Sequence, residues 1–380
     1  MKKKLLMFGS YVLVAALATF TTLAMVGMNP PSKLDRLEAL IEERYIGEAD
    51  TQQIEDAAAA AMVKATGDRW SYYISAKDYD AHLEQEENAY VGVGITIEQQ
   101  TDDTGFLIVM VTDGGPAKEA GIEVNDLLIG VESQDVRGMT TGEVGALVKG
   151  EEGTKVALTI LRKGENMTFS VERRRIEQSV AEGKMLEGGI GLVKIDNFDA
   201  RCAEETITAI EKLRSEGARK LIFDVRNNPG GFAEELVKLL DYLLPEGDLF
   251  RSVSFDGKEK VDTSDASFLD MPMAVLVNGN SYSAAEFFAA ALQEYEAAVV
   301  VGEPTVGKGY YQQTIQLGDG SAVALSTGKY FTPKGNSLAE KGITPTVRVD
   351  VDEETASAIY YGTIQPDEDP QIQAAVKALK

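Results

Sequence analysis

Between Gly188 and Gly302 the sequence switches repeatedly between two periods, and few folds accept that. GIGLVKIDNF reads as a strand, while Ile207, Ile210 and Leu213 mark one face of a helix. KLIFDV is a short apolar strand, followed by RNNPGG and a helix with Leu236, Leu239, Leu240 and Leu243 on one side. MAVLVN is the next strand, VNGNSYSAAEFFAAAL (277–292) runs into a further helix, and AAVVVGE is a strand again. Strands alternating with helices predict an α/β layer structure. Such sheets place their sites at the carboxyl ends of strands. RNNPGG, the serine stretch and GEPTVGKG (302–309) each directly follow one.

The flanking regions differ. Residues 90–176 read as a compact β-rich module. YVGVGITIE is a Gly-broken strand, GFLIVMVT and NDLLIGVES are further strands, and GPAKEAG is a short helix. Thr140 and Glu143 form a capping box ahead of Val144, Leu147 and Val148. TKVALTILR and MTFSVER alternate with period two across the turn RKGEN. Upstream, Leu34, Leu37, Leu40 and Ile41 recur at helical spacing, Ser32 with Arg36 opens no obvious capping box, and a second helix is expected from Thr51 through Lys64. The end, PDEDPQIQAAVKALK, reads as a short amphipathic helix after an acidic linker. The helices at 34–64 and 369–379 have apolar faces with no evident partner in the core, which suggests pairing of subunits into a homodimer.

At the N-terminus Lys2, Lys3 and Lys4 precede an uncharged run from Leu5 to Met28, closed by Asn29-Pro30-Pro31. A bilayer span takes about 20 apolar residues, a signal-peptide core about 7–15. The run predicts an uncleaved signal anchor in the cell membrane, with residues 32–380 extracytoplasmic. The alternative is a cleaved signal peptide and a secreted chain.

Composition removes several classes of chemistry. The net charge of −24 argues against a nucleic-acid binder, which would need a basic face. The single Cys202 and single His82 exclude an intramolecular disulfide and a Cys- or His-based metal site, so no metal is expected. His82, among Asp80, Glu84 and Glu86, reads as a solvated surface residue.

GEPTVGKG matches most of a phosphate loop, but Gly309 stands where Ser or Thr would hold magnesium. A phosphate loop must also open a helix, whereas GYYQQTIQL alternates like a strand. Nucleotide binding is therefore not expected. That leaves Lys308 between Gly307 and Gly309, and two serines without an imidazole. A buried lysine can act as a base if its pKa falls from about 10.4 by roughly 3 units, near 4 kcal/mol. A serine nucleophile also needs oxyanion donors, which a helix start or a Gly-rich turn supplies.

Taken in order, KLIFDVRNNPGG, VNGNSYSAAEF, VGEPTVGKGYYQQTIQLGDGSAVALSTGKYFTPKGNSL and KGITPTVRV resemble the carboxy-terminal processing (tail-specific) proteases. The resemblance covers roughly residues 34–376 and implies a PDZ domain inserted before a crotonase-like α/β protease core. Position by position it implies Ser283 as nucleophile, Lys308 as general base and Gln312 as support. It implies oxyanion donors from Ala284 and from Gly230 or Gly231. Tyr282 and Ala285 depart from the family's small residue and last serine, so Tyr282 bears on pocket shape. Ser281 becomes a turn or cap residue with an expendable hydroxyl. In the PDZ domain, Val91, Gly92, Val93 and Gly94 are expected to cradle a substrate's terminal carboxylate. The implied organisation is an anchor over 1–31, a helical region over 32–88, a PDZ domain over 89–177, a protease core over 178–350, and a linker and helix over 351–380. The implied partners are proteins or peptides with free C-termini, and no cofactor is implied. Two rivals stand beside this reading: an inactive PDZ scaffold, and an acyl transferase on the same core.

Overall fold

The computed structural model describes residues 31–101 and 103–379. Residues through Tyr73 and residues from Ile74 onward form two compact units. The anchor expected over 1–31 falls, but for residue 31, outside the described residues. Among the described residues no helix is long and apolar enough to cross a membrane, and the longest have 14 residues against the ~20 that a bilayer requires. The single-pass membrane placement is corrected to this extent: no helix among the described residues supports it, and neither it nor the membrane as a partner is carried further.

The first unit holds helices Lys33–Arg44 and Thr51–Lys64, neither with a buried residue. Leu34, Leu37 and Leu40 stay exposed along the first. A capping box does form at its start, contrary to the reading from Arg36. Ser32 Oγ accepts from Asp35 N at 3.2 Å, and Asp35 accepts from Ser32 N at 2.8 Å, because Asp at the third helical position reaches back as Glu would.

In the second unit, helix Ala76–Glu86 carries His82. Its side chain is only 16% exposed, with Nε2 3.2 Å from Glu86 Oε1 one turn on and the Tyr79 ring beside it. The solvated surface reading of His82 is therefore wrong. The spacing i, i+4 that placed it among carboxylates also pairs it with one.

Strands Ile95–Gln99, Phe106–Val111, Leu127–Val131, Lys155–Arg162 and Glu165–Glu172 build an antiparallel sheet in that spatial order. The capping box at Thr140 and Glu143 starts helix Thr141–Val148, whose Val144 and Val148 pack on Ile108, Leu128, Leu158 and Ile160. Alternation along Lys155–Arg162 buries every second residue, as a half-buried strand requires. Strands Ala89–Gly92 and Arg174–Glu177 pair antiparallel, so this β-rich insert enters and leaves the chain at one place.

The remainder is the α/β layer. Strands Ile190–Ile195, Lys220–Asp224, Met273–Val277, Ala298–Gly302 and Val347–Arg348 run parallel, with Ala181–Leu186 antiparallel on the outer edge. Alternate residues face opposite sides. Val193, Phe223, Val275 and Val300 join helices Cys202–Ser215, Ala233–Leu243 and Ala284–Glu294 in the main core. Leu192, Ile222, Leu276 and Val301 meet Ile372, Ala375 and Leu379 of the C-terminal segment. Helix Pro370–Ala378 thus covers one sheet face, which corrects the expectation that its apolar stripe lacks a partner. A second, antiparallel sheet contains Gly247–Ser254, Glu259–Ser264, Tyr310–Gln316 and Ala322–Phe331. The fold is mixed α/β with a β-rich PDZ-like insertion and a helical N-terminal region.

One helix matters most for the site. Residues 284–292 of Ala284–Glu294 are all buried, so this helix is wrapped on every side. Phe288 meets Phe198 at 5.5 Å and Phe223 at 5.4 Å between ring centroids, and Phe287 meets Phe250 at 5.3 Å. Burying each ring contributes about 2–3 kcal/mol. The start of the helix, where the serine stands, is fixed to the core by these rings.

Candidate active site

Register brings the candidate loops together. Asp224 pairs with Leu276 and Leu276 with Val301 on adjacent parallel strands, so the segments after them emerge side by side. The first is the RNNPGG turn, the second the serine turn, the third the loop bearing Lys308.

The first two are bound by short polar contacts. Asn227 N donates to Asn278 Oδ1 at 2.9 Å, and Asn227 Oδ1 accepts from Asn278 and Asn280 side chains at 2.9 and 3.0 Å. Tyr282 N donates to Asn228 O at 3.1 Å. Ser281 is fully buried, and its hydroxyl donates to Val225 O at 2.7 Å and accepts from Asn278 N at 3.0 Å. It stitches the two turns together, so its hydroxyl is not expendable. Deleting a hydroxyl that satisfies two buried backbone groups costs about 1–3 kcal/mol.

Ser283 is the residue before helix Ala284–Glu294 and has φ +58°, ψ −126°. A non-glycine residue held there stores roughly 1–3 kcal/mol of strain, which the surrounding contacts must hold in place. Gly230 shows how close they come. A Cβ on Gly230 would lie 2.7 Å from Ser283 Cβ and 2.8 Å from Ala284 N, so only glycine allows the two turns to touch. Gly230 N donates to Asn228 Oδ1 at 2.8 Å, which occupies that amide. Gly231 is exposed and forms a β-bridge with Phe198 at the end of the same turn.

The third loop is tied in by Glu286, which the sequence reading passed over. Its fully buried carboxylate accepts from Ser283 N at 3.0 Å, Lys308 N at 2.8 Å and Gly307 N at 2.7 Å, and from Thr305 Oγ1. Burial pushes the Glu286 carboxyl above its ordinary range, and these donors work against that rise. The sequence signal was present: S-x-x-E at 283–286 is a capping pattern. What the pattern does not convey is that the same carboxylate reaches a loop over twenty residues away. Gly307 packs against the 340–342 segment, where a Cβ would meet Gly342 N and Lys341 N at 2.8 Å. The loop runs directly into strand Tyr310–Gln316, not a helix, in keeping with the rejection of a phosphate loop.

Lys308 is half-buried, with Nζ 5.8 Å from the centroid of the Tyr282 ring. Gln312 follows a bulge in the pairing with Ala322–Phe331 and donates to Ser326 Oγ at 2.9 Å. Beyond Tyr282 lies Asp199, also unnoticed in the sequence. A Cβ on Gly231 would lie 2.6 Å from Asp199 Oδ1. Burial first, and the charge of Glu86 second, push the Asp199 carboxyl up to about 7. Burial, then Asp199, raises the Tyr282 phenol.

A second site lies in the PDZ-like insert. A groove of about 500 Å³ runs between the edge strand Ile95–Gln99 and helix Thr141–Val148, with Ala81, Glu84 and Gln85 on its far wall. Gly92, Val93 and Gly94 line it; Val91 instead stands in the paired strand opposite Arg175.

The family model for peptidase family S41 matches residues 189–349, and that for the PDZ domain matches residues 107–162. The carboxy-terminal processing protease CtpA of Bacillus subtilis is 31% identical over 367 residues, covering 92% of this chain and 78% of that protein. The chain belongs to this family. It is a serine-type carboxy-terminal processing peptidase with a PDZ domain, and the inactive-scaffold and acyl-transferase readings fall away. A probable CtpA-like serine protease of Staphylococcus aureus is 31% identical over 324 residues, covering 84% of this chain but only 64% of its own length. A solved putative S41 protease from Bacteroides fragilis shares the fold with a TM-score of 0.53, at 17% identity over 92% of this chain and 97% of that one.

Proposed function

We propose that this protease binds the free C-terminal tail of a protein in the PDZ groove and cleaves upstream of it with a Ser283–Lys308 dyad. The observation that carries the reading is the buried Glu286 carboxylate, which accepts from the backbone of both Ser283 and Lys308 and so ties nucleophile and base loops together. Neutral Lys308 takes the Ser283 proton as Oγ attacks the scissile carbonyl. The resulting lysyl ammonium returns that proton to the leaving amine, and water then hydrolyses the acyl-enzyme by the same route reversed. Gln312 supports the strand that follows Lys308.

The oxyanion is met by the amide of Ala284, at the start of a helix whose first N–H groups lack intrahelical partners, and by that of Gly231. Gly230 is excluded from this role because Asn228 already engages its amide. The tail adds to the edge strand Ile95–Gln99, its carboxylate near Gly92–Gly94 and its apolar side chains toward Ile95, Ile97 and Val148. We place the PDZ domain at 89–177 and a crotonase-like protease core at 178–350, between a helical region at 32–88 and a linker and helix at 351–380.

Two peptides of one sequence test this, one with a free C-terminal carboxylate and one amidated. The free acid should be cut at least tenfold more efficiently, with Ser283→Ala inactive on both. Equal cutting of the amide would remove the tail-recognition step.

A further inference from the structure

Arg226 opens the RNNPGG turn and is itself buried. Its Nε and Nη2 donate to Asp224 at 2.9 and 2.6 Å, and its own N donates to Asp224 Oδ1 at 3.0 Å. Nη1 turns the other way, to Asp369 Oδ2 at 2.8 Å and Gln371 Oε1 at 3.0 Å. Asp369 is fully buried and caps helix Pro370–Ala378, accepting from Gln371 N at 2.9 Å and Ile372 N at 3.1 Å. Gln371 donates to Val349 O at 2.8 Å. Burial opposes the Arg226 charge, and the two carboxylates overcome that and hold it protonated.

Two residues beyond Arg226, Asn228 fixes both the Gly230 amide and Tyr282 N, and Gly230 touches Ser283. A guanidinium planted between two carboxylates fixes direction as well as distance, since its fork admits few geometries. We infer that Asp369 and Gln371, from the C-terminal helix, are positioning residues for the reaction: they hold Arg226, and through it the turn that presents the Gly231 amide to the oxyanion. The inference rests on the reading of that turn as an oxyanion donor. A purely structural helix would need only its apolar face, which Ile372 and Ala375 already supply.

The test uses the full chain in three variants. Asp369→Asn and the milder Gln371→Leu loosen Arg226, while Ile372→Ala weakens the same helix without touching it. Each is measured for thermal unfolding, for kcat and KM on a free-tail peptide, and for the rate of covalent labelling of Ser283 by a fluorophosphonate. Asp369→Asn should lower kcat and the labelling rate roughly tenfold, less than outright loss of an oxyanion donor costs, with KM within about twofold. Gln371→Leu should follow in the same direction. Ile372→Ala should lower the unfolding temperature and leave kcat intact at a temperature where it is folded. If Asp369→Asn and Gln371→Leu behave as Ile372→Ala does, the helix is structural only and the inference fails. If wild type itself is not labelled at Ser283, the parent reading fails and this inference with it.

Discussion

The proposed catalytic site and the proposed tail groove of this protease are built by opposite means. Around Ser283 the backbone is held by buried polar contacts: Glu286 on two loops, the Asn227–Asn278–Asn280 set, and Ser281 between the turns. The PDZ groove is an open, largely apolar trough beside a strand edge. The contrast follows from the tasks. Stabilising a developing charge requires donors fixed before the reaction, because reorganisation during it would cancel the gain. Holding an extended tail requires an unpaired edge and apolar surface, and tolerates some looseness. Damage should therefore appear in kcat at the first site and in KM at the second.

The largest effect is expected at Glu286. In Glu286→Gln the amide NH2 faces N–H donors that the carboxylate now satisfies. Stability should drop by about 3–5 kcal/mol in chemical denaturation, and kcat by more than about a hundredfold at a temperature where the variant is folded. Gly230→Ala comes next. Its methyl collides with Ser283, and kcat should fall about a hundredfold with KM on the tail peptide nearly unchanged. A rise in KM alone would break the contrast between the sites. At the groove, Ile95→Glu should raise KM about tenfold and leave kcat unchanged, in the range of one lost apolar contact plus a buried charge.

The smallest effect concerns Asp199, and its sign can be worked out. Its carboxyl is raised from 3.8 to about 7 in the folded chain, so the fold binds a proton that the unfolded chain releases. The stabilisation is complete below about pH 4 and is lost as pH rises through 7. Asp199→Asn should therefore stabilise the protein more at pH 8 than at pH 4.5, by about 1–2 kcal/mol after solvent screening. Unfolding midpoints at the two pH values check this, and an equal change at both would mean that Asp199 is not held protonated.

Much of the α/β layer was legible because its strands and helices each carry their own period, as in KLIFDV and the leucines at 236, 239, 240 and 243. The candidate site was legible because its three loops follow strands, a position that the sheet topology turns into proximity. What escaped was the identity of partners. The stripe on 370–378 announced an apolar face, but nothing in it told that the sheet would cover that face. Glu286 was passed over, since its bonds to Gly307 and Lys308 exist only after the chain closes. Gly230 looked as suitable a donor as Gly231 until Asn228 took its amide. His82 and Asp199 followed the same rule, because the burial of a polar group depends on elements remote in sequence.

The central claim is that Lys308 is the base for Ser283. The most direct measurement is kcat on the free-tail peptide for wild type and Lys308→Ala, with circular dichroism to establish that both are folded. A loss of at least about a thousandfold in Lys308→Ala is predicted, the scale of removing a general base from a serine nucleophile. Turnover of folded Lys308→Ala at the wild-type rate would contradict the mechanism.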